Sequence, residues 1–403
     1  MTEKPDTASP PLPVRPPLLT RPLLLRFVSM LGASAGFYLL LAAVPGYAAA
    51  SGGAGSGGGG AAGLATGTLM LATVAGELVT PALVDRHGHR AVLAVGLGLL
   101  GAPALTLFCS HSLWWIVVVC LLRGLGYAFT LVAGGALTAS LIPAERRGEG
   151  LALVGVVGGV PALVMLPLGA WLAEHAAYGT AFTAGAVVAL AAIAAVPALP
   201  DRIRAPGRAV GLSEGVRRAG LRRPAGSMAV TAVGAGIVVT FLPLAAHGAA
   251  AGSVAVALFV QSAAATAARW VAGRYGDRRG FAGLVLPGLL LSAAGTLLMA
   301  LTDDPFAVVA GAGVFGTGFG ITQNSTLALM YARVPAVGYG TVSALWNAAY
   351  DIGMGAGAVA FGRLAAGTGY PWAFALTGVA MLTAAVPARR DRREPTAGTA
   401  TGP

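Results

Sequence analysis

Charge is what this sequence has least of. Only 10% of its 403 residues are Asp, Glu, Lys or Arg, against roughly 25% in a soluble globular chain. That shortage excludes a water-soluble enzyme as the main reading. Cysteine is nearly missing too. Cys109 and Cys120 lie in or beside apolar runs without metal-ligand spacing, so they read as ordinary lipid-facing or packing residues. No Gly-Lys-Ser/Thr phosphate loop is present, which excludes an ATPase within the chain. No His/Cys metal cluster and no nucleophile elbow occur either. We therefore expect no enzymatic activity, no cofactor and no metal. The 60 glycines have no collagen period, and a hydrophobic content of 56% is too high for a disordered chain.

What the chain does have is long apolar runs separated by short polar loops, with a mean hydropathy of +0.77. At about 20 residues per membrane crossing, the length accommodates about twelve spans. They fall near 24–48, 62–83, 91–109, 113–141, 150–173, 179–198, 226–246, 252–272, 281–301, 305–332, 338–362 and 370–387. Backbone groups in hydrocarbon must be satisfied internally, so these are expected to be helices. The proline-rich stretch to about Arg21 reads as a disordered tail. Ala48-Ala49-Ala50 superficially allows signal cleavage, but the first run is too long for a signal core.

Of the 26 basic residues only Lys4 is a lysine, and they collect in alternate loops. Arg15, Arg21 and Arg26 precede span 1. Arg86 and Arg90 follow span 2, Arg146 and Arg147 follow span 4, and seven arginines lie between Arg202 and Arg223. Arg274, Arg278 and Arg279 follow span 8, Arg333 follows span 10, and Arg389, Arg390, Arg392 and Arg393 follow span 12. The net charge of +11 is thus explained by membrane orientation, without a nucleic-acid partner. It predicts a multi-pass plasma-membrane protein with both termini in the cytoplasm. The opposite loops carry Glu174, His175, Asp303 and Asp304, plus a glycine-rich stretch from Ser51 to Gly63 that reads as a flexible external linker.

The two halves repeat at a fixed offset. Asp85, Arg86 and Gly88 match Asp277, Arg278 and Gly280, each 192 residues on. Gly124 and Gly126 match Gly316 and Gly318, Pro143 and Gly148 match Pro335 and Gly340, and Tyr178 and Phe182 match Tyr370 and Phe374 at the same offset. Pro45 pairs with Pro243 at 198, a change that the glycine-rich loop absorbs. Two six-helix halves in one orientation, joined by a long loop, form the parallel repeat of a secondary transporter. The expected units are a tail (1–21), a first half (22–198), a linker (199–225), a second half (226–388) and a second tail (389–403).

At this point a family resemblance becomes specific. The stretch Pro81-Ala-Leu-Val-Asp85-Arg86-His-Gly88-His-Arg90 resembles the loop motif between helices 2 and 3 of the major facilitator superfamily. Pro81 stands in place of that motif's first Gly, and His89 in place of an Arg. Gly273-Arg-Tyr-Gly-Asp277-Arg278-Arg279-Gly280 is a second copy without the trailing basic pair. The resemblance covers about residues 22–388. It implies an all-α membrane protein with twelve transmembrane helices in two six-helix pseudo-symmetric halves. It also implies that Asp85, Arg86, Gly88, Arg90, Gly273, Asp277, Arg278 and Gly280 gate the cytoplasmic side, through charge-assisted bonds that must break for it to open.

Charges inside spans are costly and usually face a cavity. Arg123 lies about ten residues into span 4, or ~15 Å deep. Arg123-Gly124-Leu-Gly126 resembles the family's span 4 motif linked to proton coupling, and its repeat mate is Phe315. Asp351, near the middle of span 11, is the best candidate proton carrier. A carboxylate favours its neutral form away from water and its charged form beside an arginine. Glu77 and Arg269 occupy equivalent positions with opposite charge. Asn347 lies one turn before Asp351, and Trp346 and Tyr350 form a neighbouring aromatic pair. Tyr38, Gln261, Gln323 and Asn324 are polar residues that serve either as interhelical bonds or as ligand contacts. Proton coupling is thus assigned to Asp351, Arg123, Glu77 and Arg269. Substrate binding is assigned to Tyr38, Arg123, Gln261, Asn324, Trp346, Asn347, Tyr350 and Asp351. An alternative makes the charges a fixed ion pair that only joins helices.

Gly155/Gly159 and Gly353/Gly357 have the spacing of close helix packing. Val160-Pro161 and Pro167-Leu-Gly169 only approximate the Gly-Pro signature of the family's drug antiporters. The expected function is proton-driven export of a small, amphipathic organic molecule (a drug, metabolite or metallophore) by a monomer working through alternating access. Proton-coupled uptake of a sugar, carboxylate or other nutrient is the alternative. It would call for more Asn, Gln and carboxylate near the centre. A non-transporting receptor or scaffold is a further alternative, and it would call for degraded central charges or a signalling domain. A channel would call for charge rings or a filter loop, and neither is visible.

Overall fold

The computed structural model describes residues 17–51, 57–143, 146–201, 219–334 and 339–383. Most of the expected linker, most of the first tail, all of the second tail and Pro335 of the repeat lie outside the described residues. The described elements are α-helices and short 3-10 turns, with no strand among them. In chain order they are α1 (Arg21–Ser51), then α2 and α3 as the arms 57–87 and 89–105 of the helical stretch Gly57–Leu105, and α4 (Leu113–Leu141). Next come α5 (Arg147–His175), α6 (Tyr178–Ala191), α7 (Ala219–Ala245), α8 (Val254–Arg279) and α9 (Ala282–Leu298). The last are α10 (Pro305–Ala332), α11 (Tyr339–Thr368) and α12 (Tyr370–Leu382). These match the twelve expected spans. α7 starts at Ala219, inside the stretch 199–225 expected to be linker.

Local sequence explains the corners. Gly88 joins α2 to α3 at φ 83°, and Gly280 joins α8 to α9 at φ 84°. Only glycine takes this left-handed conformation without strain, and the two are repeat mates. Asp304 caps α10 by accepting from the backbone N–H of Phe306 at 2.9 Å, with Pro305 in the first turn.

The repeat is also a repeat of packing. A Cβ on Gly124 would run into the Leu69 carbonyl, and one on Gly316 into the Gln261 carbonyl. Both members of the second pair lie 192 residues beyond those of the first. Gly126 likewise approaches the Gly96 carbonyl as Gly318 approaches that of Gly288. The contacts of α4 with α2 and α3 are therefore reproduced by those of α10 with α8 and α9.

The halves meet along a seam of small residues. Gly59, Gly63 and Gly67 of α2 face Gly362, Ala358 and Gly355 of α11 in antiparallel register. The hydroxyls of Thr66 and Thr240 bond across the halves at 2.9 Å. The glycine-rich stretch expected to be a flexible linker is therefore helical from Gly57 onward, and residues 52–56 lie outside the description. Glycine costs about 1 kcal/mol in a helix. Here close backbone approach to α11 offsets that cost.

The other end of the molecule is different. There the shared core gives way to two separate apolar clusters. Leu18, Leu23, Phe27 and Ile142 belong to the first half, and Leu221, Ala225, Met330 and Val342 to the second. Asp85, Arg86, Asp277 and Arg278 are exposed at this end, and none makes an ion pair among the described residues. The molecule is thus closed at the end where α1 meets α2 and parted at the loop-motif end.

Candidate functional site

A cavity of about 280 Å³ lies between the halves. Eight helices line it: α1, α2, α4 and α5 from one half, and α7, α8, α10 and α11 from the other. Of the residues predicted from sequence, it brings together Tyr38, Glu77, Gln261, Arg269, Trp346, Asn347, Tyr350 and Asp351.

The wall follows the repeat. Glu77 and Arg269, Tyr127 and Phe319, Leu131 and Gln323, Gly158 and Tyr350, Gly159 and Asp351, and Ala162 and Met354 all line it, each pair 192 residues apart. Where the first half offers a small or apolar residue, the second usually offers a larger or polar one. α5 therefore leaves room, and α11 fills part of it with functional groups. A Cβ on Gly155 or Gly159 would meet nothing within 4 Å, whereas Gly353 and Gly357 are pressed against α7 at Ala229 and Val233. The expectation of close packing holds for the second pair only.

Asp351 is buried, at 7% exposure, and has neither a hydrogen bond nor an ion pair among the described residues. Glu77 lines the same cavity, and its Oε1 has no hydrogen-bond partner among the described residues. Arg269 donates to the Oε1 of Gln323 instead of to a carboxylate. The ion-pair alternative for these charges is therefore not what the structure contains. Trp346 and Tyr350 stack with centroids 6.1 Å apart, and the Trp346 indole N–H donates to the Thr326 hydroxyl at 3.0 Å. That bond fixes the aromatic wall directly beside Asn347 and Asp351.

Two predicted contacts lie elsewhere. Arg123 is fully buried against a small void among α1, α2 and α4, apart from the cavity, and donates to the Gly36 carbonyl at 3.4 Å. Asn324 donates to the Arg269 carbonyl at 2.6 Å, which ties α10 to α8. Both therefore leave the set of direct cavity contacts. Tyr127, Ser262, Thr266 and Phe319 line the cavity and were not foreseen. Tyr127, stacked on Phe37 at 3.6 Å, and its mate Phe319 were within reach of the 192-residue offset. The wall is also richer in Gln, Asn and hydroxyl groups than the apolar cavity expected. Arg26, expected before span 1, lies five residues inside α1 and is 4% exposed.

In the first loop motif, His89 and Arg90 donate their backbone N–H groups to Asp201, at 3.0 and 3.1 Å, and Arg90 Nε donates to the Leu199 carbonyl. These bonds tie the motif to the start of the linker and not to the second half. Gly273 sits beside the Asn324 amide, and Gly280 closes α8. No His/Cys/Asp/Glu cluster that could hold a metal occurs among the described residues.

A family model described as Major Facilitator Superfamily matches residues 23–244 and 224–402. The multidrug resistance protein MdtH of Shigella flexneri is 29% identical over 94 residues, covering 23% of this chain and 23% of that protein. MdtH of Escherichia coli matches to the same extent. The chain thus matches less than a quarter of the length of these relatives. Among solved structures, the nucleoside transporter NupG superposes with a TM-score of 0.71 at 14% identity, covering 94% of this chain and 100% of that one. A D-xylose–proton symporter gives 0.72 at 14% identity, covering 90% and 96%. A POT family transporter in complex with 5-aminolevulinic acid gives 0.72 at 11%, covering 91% and 95%. At such identities the likeness is one of fold.

Proposed function

Because the chain belongs to the major facilitator superfamily, and is thus a membrane transporter of small molecules and not an enzyme, we propose that it exports an organic molecule in exchange for protons. One observation carries this reading. Asp351 is a buried carboxylate without a partner among the described residues, on the wall of a cavity shared by two halves that are closed at one end and parted at the other. Such a group exchanges its proton with whichever side the cavity opens to. Glu77, on the same wall, is the second proton site. Arg269 holds Gln323 on the same wall. Arg123 acts from outside the cavity, through α1 and α4.

The arginine loops orient the parted end toward the cytoplasm of a plasma-membrane protein, with both termini on that side. Cargo then binds against Trp346, Asn347, Tyr350, Gln261 and Tyr38. Closing the parted end brings the Asp85 and Asp277 loops toward the opposite half, where charge-assisted bonds hold it shut. The α2–α11 seam parts in the same motion. The chain works as a monomer without a cofactor, and the proton gradient supplies the energy. Export, as against uptake, is supported by the short match to MdtH.

Everted vesicles test the reading. With an acid interior, ethidium should be taken up, and its addition should collapse the pH gradient reported by acridine orange. Asp351→Asn should abolish both signals, and unchanged exchange would remove Asp351 as the carrier. Uptake of a polar solute is the second reading. It is favoured by Gln261, Ser262, Thr266, Gln323 and Asn347 on the cavity wall.

A further inference from the structure

A second cavity of about 280 Å³ lies within the first half, between α1, α4 and α5. It shares Tyr127 and Leu131 with the central cavity and forms an alcove on its parted side. Its wall is apolar (Met30, Ala33, Leu131 and Val154), apart from a few hydroxyls and one charge, that of Arg26. Two of the three nitrogens of the Arg26 guanidinium are pinned. Nε donates to the Gly134 carbonyl at 3.0 Å and to the Thr138 hydroxyl at 3.1 Å, and Nη1 donates to Ser29 Oγ at 2.9 Å. A guanidinium has five N–H donors. Nη2 has no acceptor among the described residues, and no carboxylate pairs with the group.

A buried cation without a counter-ion is costly. The bonds to Gly134 and Thr138 orient Arg26 but do not neutralise it. A carboxylate or sulfonate would do both, since a guanidinium edge meets such a group with paired charge-assisted bonds. The hydroxyls of Ser34 and Thr130 line the same alcove, and its apolar remainder fits a hydrocarbon or aromatic body. We propose that this alcove binds small amphipathic organic anions from the aqueous side, head on Arg26 and body toward Leu131 and Tyr127. It is a waiting site next to the central cavity. The inference rests on the transport reading for its purpose, though not for its chemistry.

Equilibrium dialysis of radiolabelled 2-naphthoate against the full chain in phosphatidylcholine nanodiscs tests it, with empty discs as blank. The wild type should bind 2-naphthoate, and the neutral 2-naphthamide at least about tenfold more weakly. Arg26→Gln should lower naphthoate affinity by a similar factor and leave naphthamide unchanged. Gly135→Phe tests the site without touching Arg26. Gly135 lines the alcove with nothing within 4 Å of its Cβ position, so this change should block both ligands. Equal binding of acid and amide, or naphthoate affinity indifferent to both substitutions, would overturn the proposal. Loss of binding on exchanging the lipid for phosphatidylglycerol would assign the alcove to lipid head groups and overturn it equally. The assay applies no proton gradient. Arg26-dependent binding without proton-driven flux therefore sinks the transport reading alone, and flux without such binding sinks this inference alone.

Discussion

Asp351 and Arg123 are both charges buried in apolar helices, yet they stand in opposite settings. Asp351 faces a cavity, while Arg123 is sealed behind α1 with one long bond and an Nε that has no partner among the described residues. Replacing an unpaired buried ion by an apolar side chain of similar volume is often neutral or stabilising, by up to a few kcal/mol. Arg123→Met should therefore hold or raise the thermal midpoint of the purified protein while flux is lost. A fall of several degrees would show that Arg123 joins helices. Arg26 differs, since three hydrogen bonds depend on it. Arg26→Ala should lower stability by about 1–3 kcal/mol, read by the same melt. Charge in an apolar run is a loud signal, and Asp351, Glu77 and Arg269 were legible for that reason. Arg26 was not, because an arginine near the start of a run looks the same whether it faces water or the interior. Tyr127 and Phe319 were missed because an aromatic in a membrane helix usually signals lipid or core.

At the scale of the helix, spacing alone proves ambiguous. Gly155/Gly159 and Gly353/Gly357 have the same four-residue spacing, but only the second pair touches a neighbouring backbone. Gly353→Ala should therefore cost about 1–3 kcal/mol through overpacking against Ala229. Gly155→Ala should be neutral or stabilising by up to about 1 kcal/mol, from helix propensity. Unfolding midpoints in one detergent check the contrast, and equal losses would contradict it. The sequence carries the spacing but not the face that it presents, which depends on where the neighbouring helix lies. The same limit made residues 57–63 look like a linker. Glycine lowers helix propensity, and only the partner α11 shows what the missing side chains make possible.

For the whole molecule, the duplication and the twelve helices were readable because hydrophobic runs and the 192-residue offset are properties of the chain itself. Which end is closed was not readable. A sequence that supports two arrangements differing by a few kcal/mol does not mark one of them. The Thr66–Thr240 contact gives a handle on this choice. In a Cys109→Ser background, Thr66→Cys with Thr240→Cys should cross-link on oxidation, stop flux and recover with reductant. Flux that continues after complete cross-linking would show that the halves need not part there.

The residues that meet backbone to backbone at the α2–α11 seam, Gly59, Gly63 and Gly67 against Gly362, Ala358 and Gly355, carry no charge. Dissolved ions screen exposed charges beyond about 8 Å at physiological strength, but they have nothing to screen here. Added potassium chloride should therefore leave the opening of this face unaltered. It should loosen the closed form of the opposite face, in which the aspartates and arginines that stand apart here come together. The protein would then have two doors that obey different solution rules, so that brine biases it toward the state with its arginine-bearing mouth ajar.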